Sequence, residues 1–336
     1  MRMPDKPFFI SEWDEPWPNP WRAECVLNLA AVCALQGWSG TAIHTYRYDC
    51  RPGVDMIAQP VTGEALAGVP YRSGVFDTFN DPAKFGLFYH AALILRRGDV
   101  AESNRFLTIP YQGFMASDIN PELDPAQDHI ISPDDIPALD GAAEIVKVST
   151  LPEVIKQPAG TVLHAPEDRL VPKETTEFIS ETGELYRNSA KRFGMIDSPR
   201  TKAAYGFLGK AGEIQFRNLK ITCENPFAVI ALSSLTDAPL EESDNILLTA
   251  VGRADNTDAV YNNEGTEQFS KGHGPVQAEV ITADIELTSA LTGFHVEAVN
   301  SNGMHVGRTP VSEVDGKVKF RIGGDFPSIY YLIQKM

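Results

Sequence analysis

Two folds follow one another in this sequence: a parallel α/β segment over residues 1–103 and, beyond an irregular connector at 104–172, an antiparallel β-sandwich over 173–336. Three observations predict that order. A short apolar run, Phe8 to Ile10, leads through an acidic, proline-rich loop into a segment of helical period that stops at Gly37. A second β-prone run, Ala42 to Tyr46, follows directly. From Glu174 onward, short apolar runs alternate with turn residues, which is the spacing of a sandwich.

Each element has a local cause. Phe8, Phe9 and Ile10 suit a buried parallel strand, and Pro16, Pro18 and Pro20 forbid a helix until after them, so Glu12 falls at a strand's carboxyl end. From Trp21 to Gln36, Ala23, Val26, Leu27, Ala30, Ala31, Ala34 and Leu35 recur at three- and four-residue intervals, with Gly37 as the stop. Arg22 and Glu24 are expected to form a surface pair near the start of that helix. On the next strand His44, Tyr46 and Tyr48 alternate in direction, so a subset projects toward the rim that holds Glu12. Cys50 to Asn80 shows no period and reads as a long loop over that rim. A second helix follows: Asp81 or Asn80 caps it, Pro82 fits its first turn, and Phe85, Phe88, Ala92 and Leu95 line one face up to Gly98.

The connector is marked by Asn120-Pro121, Asp124-Pro125 and Ser132-Pro133, with short apolar runs at Ala143–Ser149 and Gly160–His164. In the sandwich, hairpin turns are expected at Glu181-Thr182-Gly183-Glu184, Asn300-Ser301-Asn302-Gly303 and Asp315-Gly316.

A net charge of −16 argues against nucleic acid or an anionic membrane as partner, since both need clustered Lys and Arg. No apolar run approaches the ~20 residues of a membrane helix, and the first residues lack an apolar signal core; an export signal would have to lie upstream. Cys25, Cys33, Cys50 and Cys223 have no zinc-ligand spacing, so neither metal nor disulfide is expected, and no cofactor either. There is no Gly-x-Ser-x-Gly elbow and no phosphate-binding glycine loop.

The chemistry gathers around Glu12. Trp13, Trp17 and Trp21 place flat apolar faces beside a carboxylate, a combination that suits a sugar ring with an acid near its anomeric carbon. Ser11-Glu12-Trp13, the aromatic loop after it, and Gly37-Trp38-Ser39-Gly40 leading into an apolar strand resemble the last two strands of a clan A glycoside hydrolase. Leu247 to Thr257 and Asp197 to Thr201 resemble stretches of the β-domains appended to some bacterial barrel glycosidases. That resemblance implies a partial (β/α)8 (TIM) barrel, its last two βα units, with Glu12 as the nucleophile of a retaining mechanism acting on a β-linked oligo- or polysaccharide of plant or algal origin. It also implies that the strand bearing the acid/base glutamate is not among these residues.

Trp13, Trp17, His44, Tyr46 and Tyr48 are then the candidate substrate contacts, although each tryptophan reads equally as core and His44 equally as a satisfied buried histidine. Glu15 and Asp49 are candidate acid/base groups; Asp14 and Glu15 stand so near the next helix that capping it is the competing role. Glu12 itself could be an ion-pair carboxylate on a loop. Open strand edges predict a homo-oligomer or a second polypeptide that completes the barrel. The rival function is a non-catalytic carbohydrate-binding or interaction module, or an inactive fragment of such an enzyme.

Overall fold

The computed structural model describes residues 6–46, 75–79, 81–104, 176–262, 265 and 267–335, with short pieces between 106 and 162. The expected loop over 50–80 falls outside the described residues except at 75–79. The chain is mostly β, its strands chiefly antiparallel, and no helix among the described residues is long and apolar enough to cross a membrane.

Two parallel pairs interrupt the antiparallel pattern among the described residues, one at the start and one between Phe106–Pro110 and Thr161–Val162. β1 (Phe9–Trp13) and β2 (Gly40–Ile43) form a parallel pair, joined by α1 (Glu24–Gln36). Gly37 closes α1 in the left-handed region, φ 64°, and its N–H reaches the Ala34 carbonyl, as its place after the last apolar residue predicts. The second helical run is composite: a 3-10 turn Phe85–Leu87, the α-helical turns α2 (Phe88–Ala92) and a π turn Leu93–Arg97, ended by Gly98 at φ 69°. Asp81 caps its approach by accepting from the Ala83 N–H at 3.1 Å.

The sandwich consists of a ten-stranded sheet facing a five-stranded one. Central to the larger sheet is Ala228–Ser234, all seven residues of which are buried. Alternation explains this: Ala228, Ile230 and Leu232 enter the core between the two sheets, where Ile221, Ile285, Phe320 and Ile333 meet them. Val229 and Ala231 point the other way, into a second cluster with Val26, Leu27, Ala30 and Ala31 of α1, Leu87 and Ile94. The order of layers is therefore helices, ten strands, five strands, and residues of the α/β segment share one core with the sandwich. The hairpins at 181–184, 300–304 and 315–316 form where turn chemistry places them; Asp315 and Gly316 both take positive φ.

Polar groups fasten α2 to the large sheet. His90, fully buried, bridges Ser233 Oγ at 2.7 Å and Thr249 Oγ1 at 2.8 Å. Thr201 Oγ1 continues the chain from Ser233 to Asp99, which Arg97 and Arg200 flank.

Within 104–172 the described pieces include a three-stranded sheet of Phe106–Pro110, Ala143–Lys147 and Thr161–Val162, while Ser149–Thr150 joins the edge of the large sheet beside Glu177–Ser180.

Candidate functional site

Glu12 is the fourth residue of β1, and its side chain is 68 % exposed. The ladder with β2 is irregular at this point: Ile10 pairs with Thr41 but Trp13 with Ile43, so β1 holds one extra residue across Ser11 and Glu12. A bulge of this kind re-aims a side chain without ending the strand. His44 follows β2 directly, with its N–H bonded to the Trp13 carbonyl at 2.9 Å. Its Nε2 lies 3.8 Å from Glu12 Oε1, and its ring meets Phe76 edge-on with centroids 5.3 Å apart. The next peptide, His44–Thr45, is cis. A carboxylate and an imidazole thus share the carboxyl ends of two parallel strands.

The loop after Glu12 is pinned from beneath. Lys84 Nζ lies 2.6 Å from Asp14 Oδ1 and 3.3 Å from the Glu15 carbonyl. Arg22 makes a bidentate pair with Asp81 and also donates to the carbonyls of Asn19 and Ala254. Arg22 is 0 % exposed, so the expected surface pair with Glu24 does not form: burying a guanidinium requires a carboxylate in contact, and Asp81 supplies it. Sequence gave no signal for this pairing across 59 positions.

The structure chooses core packing for the tryptophans where the sequence left it equal with sugar contact. Trp17 is 1 % exposed and donates Nε1–H to Asp255 Oδ1 at 3.0 Å, while the Tyr261 hydroxyl donates to the other oxygen, Oδ2. Its indole is a strut between the loop and the sandwich, and no face is free for a sugar. Trp13 is half-buried and packs against the helix-side cluster, with Nε1 buried and unpartnered. Trp21 meets the rings of Phe207 and Phe227 at a tilt, with centroids 4.9 Å apart, and Trp38 lies against Phe8 at 5.0 Å. Tyr46 is 51 % exposed, but its ring neighbours are Phe79 and Phe85.

Of the acid/base candidates, Tyr48's neighbour Asp49, like Tyr48 itself, lies outside the described residues. Glu15 accepts from Asn19 Nδ2 at 3.4 Å; burial, then Glu24 and Asp14, push its carboxyl above the ordinary 4.5, against Lys84 and Arg187. A raised carboxyl suits a proton donor; the capping alternative is not what forms, since α1 begins after Ala23 with no side-chain hydrogen bond at its cap. Glu24 is raised too, by burial, with Arg187 opposing. Among the described residues, no group of three or more His, Cys, Asp or Glu is placed to hold a metal ion. Burial raises the Cys25 thiol to about 12 and those of Cys33 and Cys223 to about 11, which leaves them inert as nucleophiles. Compared with known proteins, the chain matches no family model, no curated protein and no solved structure.

Proposed function

We propose that Glu12 is the nucleophile of a retaining β-glycosidase and that the β1-α1-β2 module with α2 is the last quarter of a (β/α)8 barrel. The observation that carries this reading is the pairing of Glu12 with His44 at the carboxyl ends of adjacent parallel strands, the rim where barrel enzymes place their chemistry. In the reaction, a Glu12 oxygen attacks the anomeric carbon as the bond to the leaving oxygen breaks, giving a glycosyl ester. A second carboxyl group about 5 to 5.5 Å away protonates that oxygen and later takes a proton from the water that cleaves the ester. His44, oriented by Phe76, offers Nε2 to Glu12 or to a sugar hydroxyl. Tyr46, 51 % exposed, offers an aromatic surface two residues beyond His44. The substrate is an oligo- or polysaccharide, and neither metal nor cofactor takes part.

The alternative of a carbohydrate-binding sandwich finds less support. Among the described residues the outer face of the five-stranded sheet carries Glu213, Lys220, Thr222, Asp284, Glu286, Lys319 and Arg321, with charges paired across strands, while the Phe320 ring beneath it is buried in the core. Such a face offers ion pairs where a sugar would need a flat apolar platform.

The test is incubation with dinitrophenyl 2-deoxy-2-fluoro β-glycosides, whose leaving group needs no proton donor, followed by peptide mapping. An ester on Glu12 is expected, lost in Glu12→Gln. No adduct with any sugar, while an intact barrel glycosidase labels in parallel, would sink the proposal.

A further inference from the structure

Thr249, His90, Ser233, Thr201 and Asp99, each no more than 3 % exposed, form one unbroken line of hydrogen bonds where α2 meets the large sheet, with successive contacts of 2.8, 2.7, 2.7 and 2.7 Å. Thr201 stands directly opposite Ser233 on the neighbouring strand, and Thr249 lies on the strand at Ser233's other side. Proton counting gives each of these bonds a direction. Asp99 meets Arg97 through both oxygens at 2.7 Å and Arg200 at 3.1 Å, so it is a carboxylate and can only accept. The one hydroxyl proton of Thr201 therefore goes to Asp99 Oδ2, and Thr201 accepts from Ser233. Ser233 has then used its own proton and accepts from His90 Nδ1. A neutral imidazole carries one ring proton, so Nε2 is bare and accepts from the Thr249 hydroxyl. The reverse order would set the Thr201 oxygen against the Asp99 carboxylate at 2.7 Å with no proton between them.

We infer that Asp99, three hydrogen bonds away, holds His90 as the neutral Nδ1–H tautomer, and that this directed chain is an acid-sensitive latch between α2 and the sheet. A second ring proton would set Nε2–H against the Thr249 hydroxyl proton, donor against donor, and that hydroxyl has no other partner among the described residues. The sheet meets the ring with the neutral groups Ser233 and Thr249; on its own helix the neighbouring ring is Tyr89, with centroids 6.4 Å apart. The charges beyond are Asp99 and, against that carboxylate, Arg97 and Arg200. Asp99 favours a second proton and burial opposes it more strongly, which takes the imidazole to about 3. With α2 lifted, the ring titrates at its ordinary value, so acid selects the open form. The helical run is short and changes its hydrogen-bond pattern twice, from a 3-10 turn to α to π, so its hold depends on the sheet. Its approach carries Asp81 and Lys84, the partners of Arg22 and Asp14, so release of α2 also loosens the loop beyond Glu12. The latch does not depend on the glycosidase reading.

Two-bond proton–nitrogen NMR correlation on the full chain, labelled with ¹⁵N-histidine, reads the tautomer, and the His90 signals are identified by their loss in His90→Gln. At neutral pH a protonated Nδ1 and a bare Nε2 are expected. A protonated Nε2, alone or together with Nδ1, overturns the assignment in the wild-type chain itself. In Asp99→Asn the amide oxygen stays with the two arginines at the Oδ1 position and the amide nitrogen becomes a donor to Thr201. The chain is then expected to reverse and move the ring proton to Nε2; a folded variant with the tautomer unchanged would show that Asp99 does not set the direction. Hydrogen exchange tests the latch. Once corrected for intrinsic rate, the opening of residues 88–97 is expected to rise about tenfold per pH unit below 6.5 while residues 228–234 stay protected, and to stay level in His90→Gln. Opening of 88–97 that rises only together with 228–234, or equally in the variant, overturns the latch.

Discussion

Lys84 Nζ lies 2.6 Å from Asp14 Oδ1, and with side chains 0 % and 2 % exposed the pair is shut off from water two residues beyond Glu12. Despite that contact, burial holds the Asp14 carboxyl above the ordinary 3.8, so desolvation outweighs the attraction of Lys84. A pair of this kind costs much to break and little to replace. Lys84→Met is expected to lose about 3–5 kcal/mol in urea unfolding, because it strands a buried carboxylate. Asp14→Leu with Lys84→Met is expected to recover most of that loss. A double variant no more stable than the single one would show that the pair does more than compensate its own burial.

His90 gives the acid limb of stability. Burial lowers its imidazole from the ordinary 6.5 to about 3, with Asp99 opposing, while Ser233 and Thr249 occupy both ring nitrogens. Below pH 6.5 the unfolded chain binds a proton that the folded chain refuses, so stability falls by about 1.4 kcal/mol per pH unit until the folded pKa is reached. Asp14, Glu15 and Glu24 act in the opposite sense: their raised pKa values mean that stability is gained as pH falls through those values. The His90 contribution is isolated by difference. Urea midpoints of wild type and His90→Gln between pH 6 and 4 are expected to diverge, with the variant losing less; parallel profiles would place the acid sensitivity elsewhere.

Trp17 couples the loop to the sandwich through Asp255, 238 positions away. Asp255→Ala removes the carboxylate that accepts from both Trp17 Nε1–H and the Tyr261 hydroxyl, which predicts a loss of about 2 kcal/mol. Trp17→Phe with Asp255→Ala is expected to cost less than the two single changes added, since each removes the same bond. Additive losses in a double-mutant cycle would show that the strut carries no coupling.

What could be read from sequence and what could not follows the distance over which each cause acts. Gly37 stops α1, and Asp315-Gly316 turns a hairpin, through residues next to them, and both were legible. All seven residues of Ala228–Ser234 are buried because α1, about two hundred residues earlier in the chain, covers the strand's second face, and nothing local to the strand signals that. Arg22 was misplaced, and Trp17 left undecided between core and sugar contact, for the same reason. An indole beside an acid reads as a sugar platform, and an arginine near a glutamate reads as a surface pair, until Asp255 and Asp81 arrive from elsewhere in the chain. Glu12 was placed near a strand's carboxyl end because its signals are local, the apolar run before it and the prolines after it. Its contact with His44 needed the parallel register of β1 and β2.

Two glycines separate the effect of backbone angle from that of crowding. Gly206 ends the strand Thr201–Gly206 at φ +112°, and a Cβ there would stand 2.4 Å from the Arg192 carbonyl oxygen and 2.9 Å from Phe193 Cα. Both obstacles are backbone in the adjoining strand, which cannot rotate aside. Gly183 has φ +72° in the turn after Ser180, with nothing within 4 Å of its Cβ position. Gly183→Ala is expected to cost about 1–2 kcal/mol, the penalty of a left-handed L residue alone. Gly206→Ala is expected to cost at least about 3 kcal/mol, since the strand pair Phe193–Asp197 and Thr201–Gly206 must open to admit it. That pair also carries Ile196, Ala203 and Tyr205 into the core beneath α1, so the loosening should spread as faster hydrogen exchange in α1. Equal costs at the two sites, or exchange confined to residues 192–207, would mean that the sheet absorbs the methyl group locally and that the helix layer is held independently of it.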